Sequence, residues 1–478
     1  RDWPDATLLR LEQNYRSTKR ILSAANSVIA NNSERLEKSL WTDNQDGPLV
    51  AYSEALDERD EVRQITGKIS LLTGRASGER AHEGYSYKSF AVFYRTNAQS
   101  RVFEEHFIRE GIPYTVVGGF RFYDRKEVRD ALALLKSLAN PDDVISLRRI
   151  INTPPRGIGA VTFDKIIELA RELQVPVLYV LPEALKRGLL KKPPARKFVE
   201  AIEAFRADFE NLPLHELTQR LLEDTGYLGM LVEEGTEEAL ERAENLHELI
   251  SAIKDFEEAV EEPSLATFLD HVALISDVDS FEDSFDRVTL MTLHSAKGLE
   301  FPVVFMAGME EGLFPHSRSI GSSEEIEEER RLCYVGMTRA MHRLYLFSSG
   351  SRTIYGETRF QTSSRFIDEI SPEFLESSVS KRDPDEHYYT LDESQLADIE
   401  GEERSTDESY SLDDDEIVVP DMDASVVRWA VGMRVRHPSF GSGVIRATEG
   451  VGEDAKLTIN FSKAGPKKLV VKYANLSF

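Results

Sequence analysis

Apolar residues recur at spacings of three and four along most of the chain, and short β-branched or aromatic runs interrupt them. Ile21, Leu22, Ala25, Val28 and Ile29 line one helical face, with Ser17 or Thr18 as its cap and Asn31-Asn32 as its stop. ATLLRLEQ (6–13), LVAYSEA (49–55), FAVFYRT (90–96) and IPYTVVGG (112–119) read as strands. Helices are expected between them, around 58–73 and over AQSRVFEEHFIREG (98–111). Strands alternating with helices predict a parallel sheet covered on both faces. From about 124 to 280 nearly every window is helical. VTLMTLHSA (288–296), PVVFMAGM (302–309), a helix over EEIEEERRLCYVGMTRA (324–340) and RLYLFSS (343–349) then resume the earlier pattern.

The fold class expected is therefore α/β, a parallel sheet interrupted by an inserted all-α domain. Residues 1–120 and 287–370 are expected to form the sheet domain, and 121–286 the helical insertion. Past 370 the periodicity stops. Residues 371–424 carry 19 acidic and 3 basic residues, and they read as an acidic disordered linker. From 425 on, 9 basic residues face 3 acidic ones, and short strands with glycine turns predict a small β-barrel of the SH3 or Tudor kind.

The net charge of −26 argues against a nucleic-acid partner until its distribution is considered. Much of the acidic excess sits in one segment, so basic surfaces remain available elsewhere. The single cysteine, Cys333, excludes a disulfide framework and a cysteine-based zinc site; it is read as a core residue in a cytoplasmic protein. No apolar run is long enough for a membrane span. The chain opens at Arg1 on a segment that already reads as ordered, so it is expected to begin inside a larger protein.

Candidate chemistry gathers in four loops. NYRST (14–18) lies between a strand and a helix N-terminus, where backbone N–H groups favour anions. Arg16 offers a planar fork for phosphate and Tyr15 a flat face for a base. An ordinary turn with a surface arginine accounts for the same residues. In TLHSAKGLEF (292–301), Thr292, His294, Ser295 and Lys297 are donors suited to phosphate oxygens. Gly298 there permits close backbone approach, and Glu300 suits a ribose hydroxyl; a polar loop before a buried strand is the plain alternative. In RLCYVGMTRA (331–340), Arg339 suits an anion, or simply the negative end of the helix before it. PPRGIGAVTFDKI (154–166) sets Gly157-Ile158-Gly159 ahead of a helix that Thr162 is expected to cap, with Arg156 beside it. Such a helix start suits a phosphate, and a tight turn between helices is the alternative. A phosphate-cradling G-x-x-x-x-G-K-[ST] loop is missing; ITGKIS (65–70) lacks the first glycine and falls mid-helix.

Taken together, QNYRSTKRIL, VTLMTLHSAKGLEFPVVFMAGMEEGLFP and EEERRLCYVGMTRA resemble motifs IV, V and VI of the UvrD/PcrA/Rep helicases of superfamily 1. YRTNAQSRVFEE and GGFRFYDRKEVRDALALL are similar to further segments of that family's second RecA-like domain, and GMRVRHPSFGSGVI resembles its Tudor-like tail. The resemblance covers residues 1 to about 370. It implies a RecA-like domain 2A split by a 2B insertion, with the P-loop domain, and the Mg²⁺ ligands that go with ATP, outside this chain. It implies Tyr15 on adenine, Arg16 and Arg339 on the γ-phosphate as arginine fingers, Glu300 on the ribose and Gly298 near the nucleotide. It also implies Asn97, Thr292 and His294 on single-stranded DNA, and Gly157-Ile158-Gly159 with Arg156 on duplex backbone. The activity implied is ATP-dependent 3′→5′ DNA unwinding in a bacterial, nucleoid-associated setting, inactive in this chain alone. RNA polymerase is the partner implied for residues 425–478, although Arg434, Arg436, Lys467 and Lys468 also suit nucleic acid. A stand-alone adaptor without ATPase activity, binding DNA or polymerase, is the competing expectation.

Overall fold

The computed structural model describes residues 12–33, 40–75, 84–209, 211–277, 286–354 and 357–377, with strands 434–437, 441–449, 456–461 and 465–470. The expected strand at 6–13 lies almost wholly outside the described residues, as does the acidic segment from 378 to 424. The chain divides into two compact units, Arg1–Glu386 and His387–Phe478.

The first unit is built on seven parallel strands: β1 (Val50–Ala55), β2 (Phe90–Tyr94), β3 (Tyr114–Val117), β4 (Val288–Thr292), β5 (Phe301–Met306), β6 (Ala340–Ser349) and β9 (Leu375–Ser377). Their order across the sheet is β3-β4-β2-β5-β6-β1-β9. β2, FAVFY, is buried at every position, as a strand covered on both faces must be. One face carries α1 (Lys19–Ile29) and α13 (Ser323–Met337) over Ala91, Phe93, Met291, Val304 and Leu346. The other face carries α2 (Glu58–Leu72) and α3 (Ser100–Arg109) over Phe90, Val92, Leu290, Phe305 and Phe347. α2 starts where Asp57 accepts the N–H of Asp60, with Glu58, Asp60 and Glu61 filling its positive first turn. Gly67-Lys68 falls inside this helix rather than in a loop.

β3 and β4 pair directly, Val116 opposite Leu290, although 170 residues separate Val117 from Val288. The chain thus leaves the sheet and returns to it beside itself. Among its described residues the excursion forms helices and no strand: α4 (Lys126–Ala139), α5 (Val144–Ile150), α6 (Ala160–Leu173), α7 (Leu181–Lys186), α8 (Pro193–Asp208), α9 (Leu214–Asp224), α10 (Tyr227–Glu234), α11 (Glu237–Ala259) and α12 (Leu265–Asp277). It encloses its own core around Phe163, Phe198, Leu246, Ile250 and Phe268. Its seam with the sheet domain is polar. Arg125 Nη1 donates to the Asn97 carbonyl (2.9 Å) and to Asn245 Oδ1 (2.8 Å), and Arg101 meets Glu248 (2.7 Å) and Asp255 (2.9 Å).

A hairpin of β7 (Ser351–Ile354) and β8 (Glu357–Phe360) follows β6, and the four-residue helix α14 (Arg365–Asp368) leads to β9. The second unit is a four-stranded antiparallel sheet, β10 (Arg434–His437), β11 (Gly441–Glu449), β12 (Lys456–Phe461) and β13 (Gly465–Val470), in that order, with an irregularity between Ile445 and Ala447.

Candidate functional site

Because all seven strands run one way, their ends form two distinct edges. At the edge where β5 and β6 begin, three remote segments converge. Asn14 Oδ1 accepts the N–H groups of Arg16 (2.7 Å) and Ser17 (2.9 Å), which closes the turn and leaves Tyr15 77% exposed. Ser17 Oγ donates to the Ala340 carbonyl (2.7 Å), pinning this turn to the start of β6. Arg16 Nε donates to Glu300 Oε2 (2.6 Å) and its Nη1 to the Thr338 carbonyl (3.2 Å). Arg339 Nε donates to the Val335 carbonyl (3.0 Å) in the last turn of α13. Burial, and then the neighbouring charge of Arg16, hold the Arg339 guanidinium below its usual pKa, while Glu300 works the other way. Two guanidiniums that repel each other and share one carboxylate favour a further anion. Gly298 has φ +90° with open space where a Cβ would stand. The expected nucleotide-facing set, Tyr15, Arg16, Gly298, Glu300 and Arg339, thus lies on three segments at one edge, and Glu300 is here the partner of Arg16.

The opposite edge carries the remaining loops. β3, β4 and β2 are neighbours, so the residues after them cluster, as ligand-binding loops do at the carboxyl ends of open parallel sheets. Thr292 Oγ1 lies 3.0 Å from Ser295 Oγ, and His294 is exposed beside them. Desolvation, then the charge of Arg95, lower the His294 pKa. Asn97 Nδ2 donates to Glu241 Oε2 on α11 (3.1 Å), so it is engaged across the seam. The loop after β3 is pressed against both neighbours. A Cβ at Gly118 (φ +82°) would meet Ser295 Oγ at 2.5 Å, and one at Gly119 would sit 3.7 Å from Asn97 Oδ1. Phe120, next in the chain, is 72% exposed. Periodicity gave no signal for Phe120, since it falls in a loop; the flanking Gly-Gly and Arg121 were the available hint.

In the insertion the sequence expectation needs correcting. Arg156 is 1% exposed. It donates to the carbonyls of Ile150 (2.8 Å), Ile151 (3.1 Å), Thr153 (2.9 Å) and Thr225 (2.8 Å), and it lies 4.3 Å from the Phe198 ring centroid. It builds the turn from inside and cannot reach a phosphate. Ile158 is also buried, and its N–H is spent on Asn152 Oδ1 (3.1 Å). Gly159, not Thr162, is the N-cap of α6, and Gly157 takes φ +73°. What reaches solvent is the glycine backbone and the start of the helix.

Two features escaped sequence reasoning. Glu329 accepts both Arg95 Nε and Nη2 beneath the loops just described. A cavity of about 430 Å³ opens between the sheet domain and α11, lined among others by Gln99, Glu244, His247 and His316. Among the described residues no group of three His, Cys, Asp or Glu side chains is placed to hold a metal ion, and no helix is long and apolar enough to cross a membrane.

Residues 9–351 match the family described as UvrD-like helicase C-terminal domain, and 431–477 match the PcrA/UvrD tudor domain. The chain is 40% identical to the ATP-dependent DNA helicase PcrA of Bacillus subtilis over 488 residues, 99% of this chain and 63% of that protein. It is 41% identical to PcrA of Staphylococcus aureus over 480 residues, 99% of this chain and 62% of that protein. It therefore spans less than two thirds of the length of these relatives. A solved C-terminal domain of a possible DNA helicase from Lactobacillus plantarum matches 76% of this chain and 98% of its own length, at 10% identity and a TM-score of 0.29. On the match over residues 9–351, this chain belongs to the UvrD-like helicase C-terminal domain family, with a tudor domain of the PcrA/UvrD type behind it.

Proposed function

We propose that this chain is the C-terminal half of an ATP-dependent 3′→5′ DNA helicase. On this reading residues 1–120 and 287–377 form domain 2A, the expected boundary at 370 moving because β9 pairs with β1; 121–286 form 2B, 378–424 link, and 425–478 dock a protein partner, RNA polymerase by the resemblance. The observation that carries the reading is the pairing at one sheet edge of Arg16 and Arg339, braced on the end of one helix beside Glu300 and the exposed Tyr15.

In this reading ATP lies against that edge, its base on Tyr15 and its ribose on Glu300. Mg²⁺ and the phosphate loop belong to a RecA-like domain outside these residues. Arg16 and Arg339 stabilise the charge that develops on the transferring phosphoryl group, a contribution of roughly 10³–10⁵ in rate for an arginine finger. Their attraction to the γ-phosphate also draws the two domains together, and hydrolysis releases them. Single-stranded DNA runs over the opposite edge across Asn97, Thr292 and His294, with Phe120 as a stacking surface. The backbone of Gly157 and Gly159, at the start of α6, meets the duplex. Phosphate contacts then dominate, so binding is sequence-independent and weakens with salt.

The test is DNA-stimulated ATP hydrolysis by the full-length protein with Arg339→Ala. A fall in kcat of about 10²-fold or more with ATP binding nearly intact is expected, the pattern of a transition-state contact. An unchanged rate would reduce Arg339 to a helix-end charge and sink the reading.

A further inference from the structure

We propose that Glu329 is a positioning residue that ties the DNA-facing edge of the sheet to the arginine facing the nucleotide. This rests on the roles proposed above for Arg339, Asn97 and His294.

α13 crosses one face of the sheet from edge to edge. It follows the loop that leaves the carboxyl end of β5, and it ends just before β6 begins. Glu329 stands near its middle and is 5% exposed. Its carboxylate is filled from two directions. Arg95 donates Nε to both oxygens (3.0 Å each) and Nη2 to Oε1 (2.8 Å), while the His316 N–H donates to Oε2 (3.0 Å). One carboxylate thus joins the end of β2, the loop after β5 and α13.

Arg95 stands two residues before Asn97, in a turn that is itself fixed. The N–H groups of Arg95 and Thr96 both donate to Gln99 Oε1 (2.9 and 3.0 Å). His294 feels both members of the pair: the charge of Arg95 disfavours its protonation and that of Glu329 favours it. The pair therefore underlies both loops read as DNA contacts. Ten residues further along the chain, about 15 Å at helical rise, stands Arg339. Between them Gly336 lets α13 lie close on the sheet, since a Cβ there would come within 2.5 Å of Leu293 Cδ2. Leu293 immediately precedes His294. A displacement of the DNA-facing loops must move α13 with them, or break a partly buried bidentate ion pair and leave the 5% exposed Glu329 without its arginine. The rigid path is the cheaper one, so occupancy of one edge biases the position of Arg339 at the other.

An ion pair that merely stabilises the domain would look similar in a static structure; coupling is what separates the two. The experiment compares full-length protein, Glu329→Gln, Arg95→Lys and the swapped pair Arg95→Glu with Glu329→Arg. It measures ATP hydrolysis without DNA, hydrolysis with saturating oligothymidylate, and oligothymidylate affinity with and without adenylyl-imidodiphosphate. Thermal unfolding reports whether each variant folds. Glu329→Gln is expected to keep DNA-free hydrolysis within about 2-fold and to lose at least about 5-fold of the DNA stimulation, the low end of ordinary coupling. The effect of the nucleotide analogue on DNA affinity is expected to shrink as well, and by reciprocity the effect of oligothymidylate on analogue affinity shrinks by that same factor. Arg95→Lys, which keeps the charge and loses the fork, falls between and carries the test if Glu329→Gln fails to fold. The swapped pair restores part of the stimulation. Stimulation at the parent level in folded Glu329→Gln overturns the proposal, as does an equal loss of DNA-free and DNA-stimulated rates. Arg339→Ala runs alongside: if it leaves hydrolysis unchanged, the functional reading fails; if it abolishes hydrolysis while Glu329→Gln couples normally, only the role of Glu329 fails.

Discussion

Arg16 and Glu300, 284 positions apart in the chain, meet through one Nε–Oε2 contact of 2.6 Å. The side chains stay 23% and 51% exposed, so the pair contributes only about 0–1 kcal/mol to folding. A contact so easily parted suits an exchange of partners, in which Arg16 takes a phosphate and Glu300 a ribose hydroxyl. Glu300→Gln is accordingly expected to change the urea unfolding free energy of this chain by less than about 1 kcal/mol. The same substitution should raise KM for ATP in the full-length protein about tenfold, the value of one well-made hydrogen bond. An unchanged KM would remove Glu300 from the nucleotide.

Phe120 is 72% exposed on a glycine loop wedged between Ser295 and Asn97. A base stacked on such a ring contributes about 1–3 kcal/mol. Phe120→Ala should therefore weaken oligothymidylate binding by roughly 5- to 150-fold while leaving thermal unfolding in place, and Phe120→Trp should restore most of the affinity. Equal affinities across the three proteins would make Phe120 an incidental surface residue.

The sequence revealed elements whose periodicity is local. FAVFYRT read as a strand of a sheet covered on both faces, and the break near residue 124 announced the helical excursion because nearly every window after it is helical. The pairing of Arg16 with Glu300 was not legible, because it depends on β5 and β6 being neighbours with both starting at one edge. Glu329 was hidden for another reason. It is one of several glutamates in EEIEEE, and only the packing of α13 decides which of them turns inward to Arg95. Arg156 misled because an arginine beside Gly-Ile-Gly suits phosphate just as well as it suits four backbone carbonyls.

That correction for Arg156 is itself testable. Burial lowers its pKa to about 10, yet it remains charged at neutral pH and satisfies carbonyls at Ile150, Ile151, Thr153 and Thr225. Arg156→Met removes these donors and should destabilise the first unit by about 3 kcal/mol in urea unfolding. Arg156→Lys should recover little, since one ammonium cannot span four carbonyls. A direct phosphate contact predicts the reverse: normal unfolding, and a salt dependence of duplex binding lowered by about one unit of slope.

His247, on α11 at the wall of the cavity, gives a pH signature. Burial depresses its pKa from 6.5 to about 4 against the opposing pull of Glu223 and Glu244, while Glu248 and His316 line the same cavity. Between those two values the unfolded chain binds a proton that the folded chain does not. Stability contributed by the neutral imidazole is therefore present above pH 6.5 and lost as the pH falls towards 4, by at most about 3 kcal/mol. A His247→Gln variant lacks this loss. The difference in unfolding free energy between parent and variant should shift by about 1–3 kcal/mol in the variant's favour from pH 7 to pH 4. Equilibrium urea unfolding at half-unit pH steps measures it, and parallel curves for the two proteins would show that His247 titrates normally in the fold.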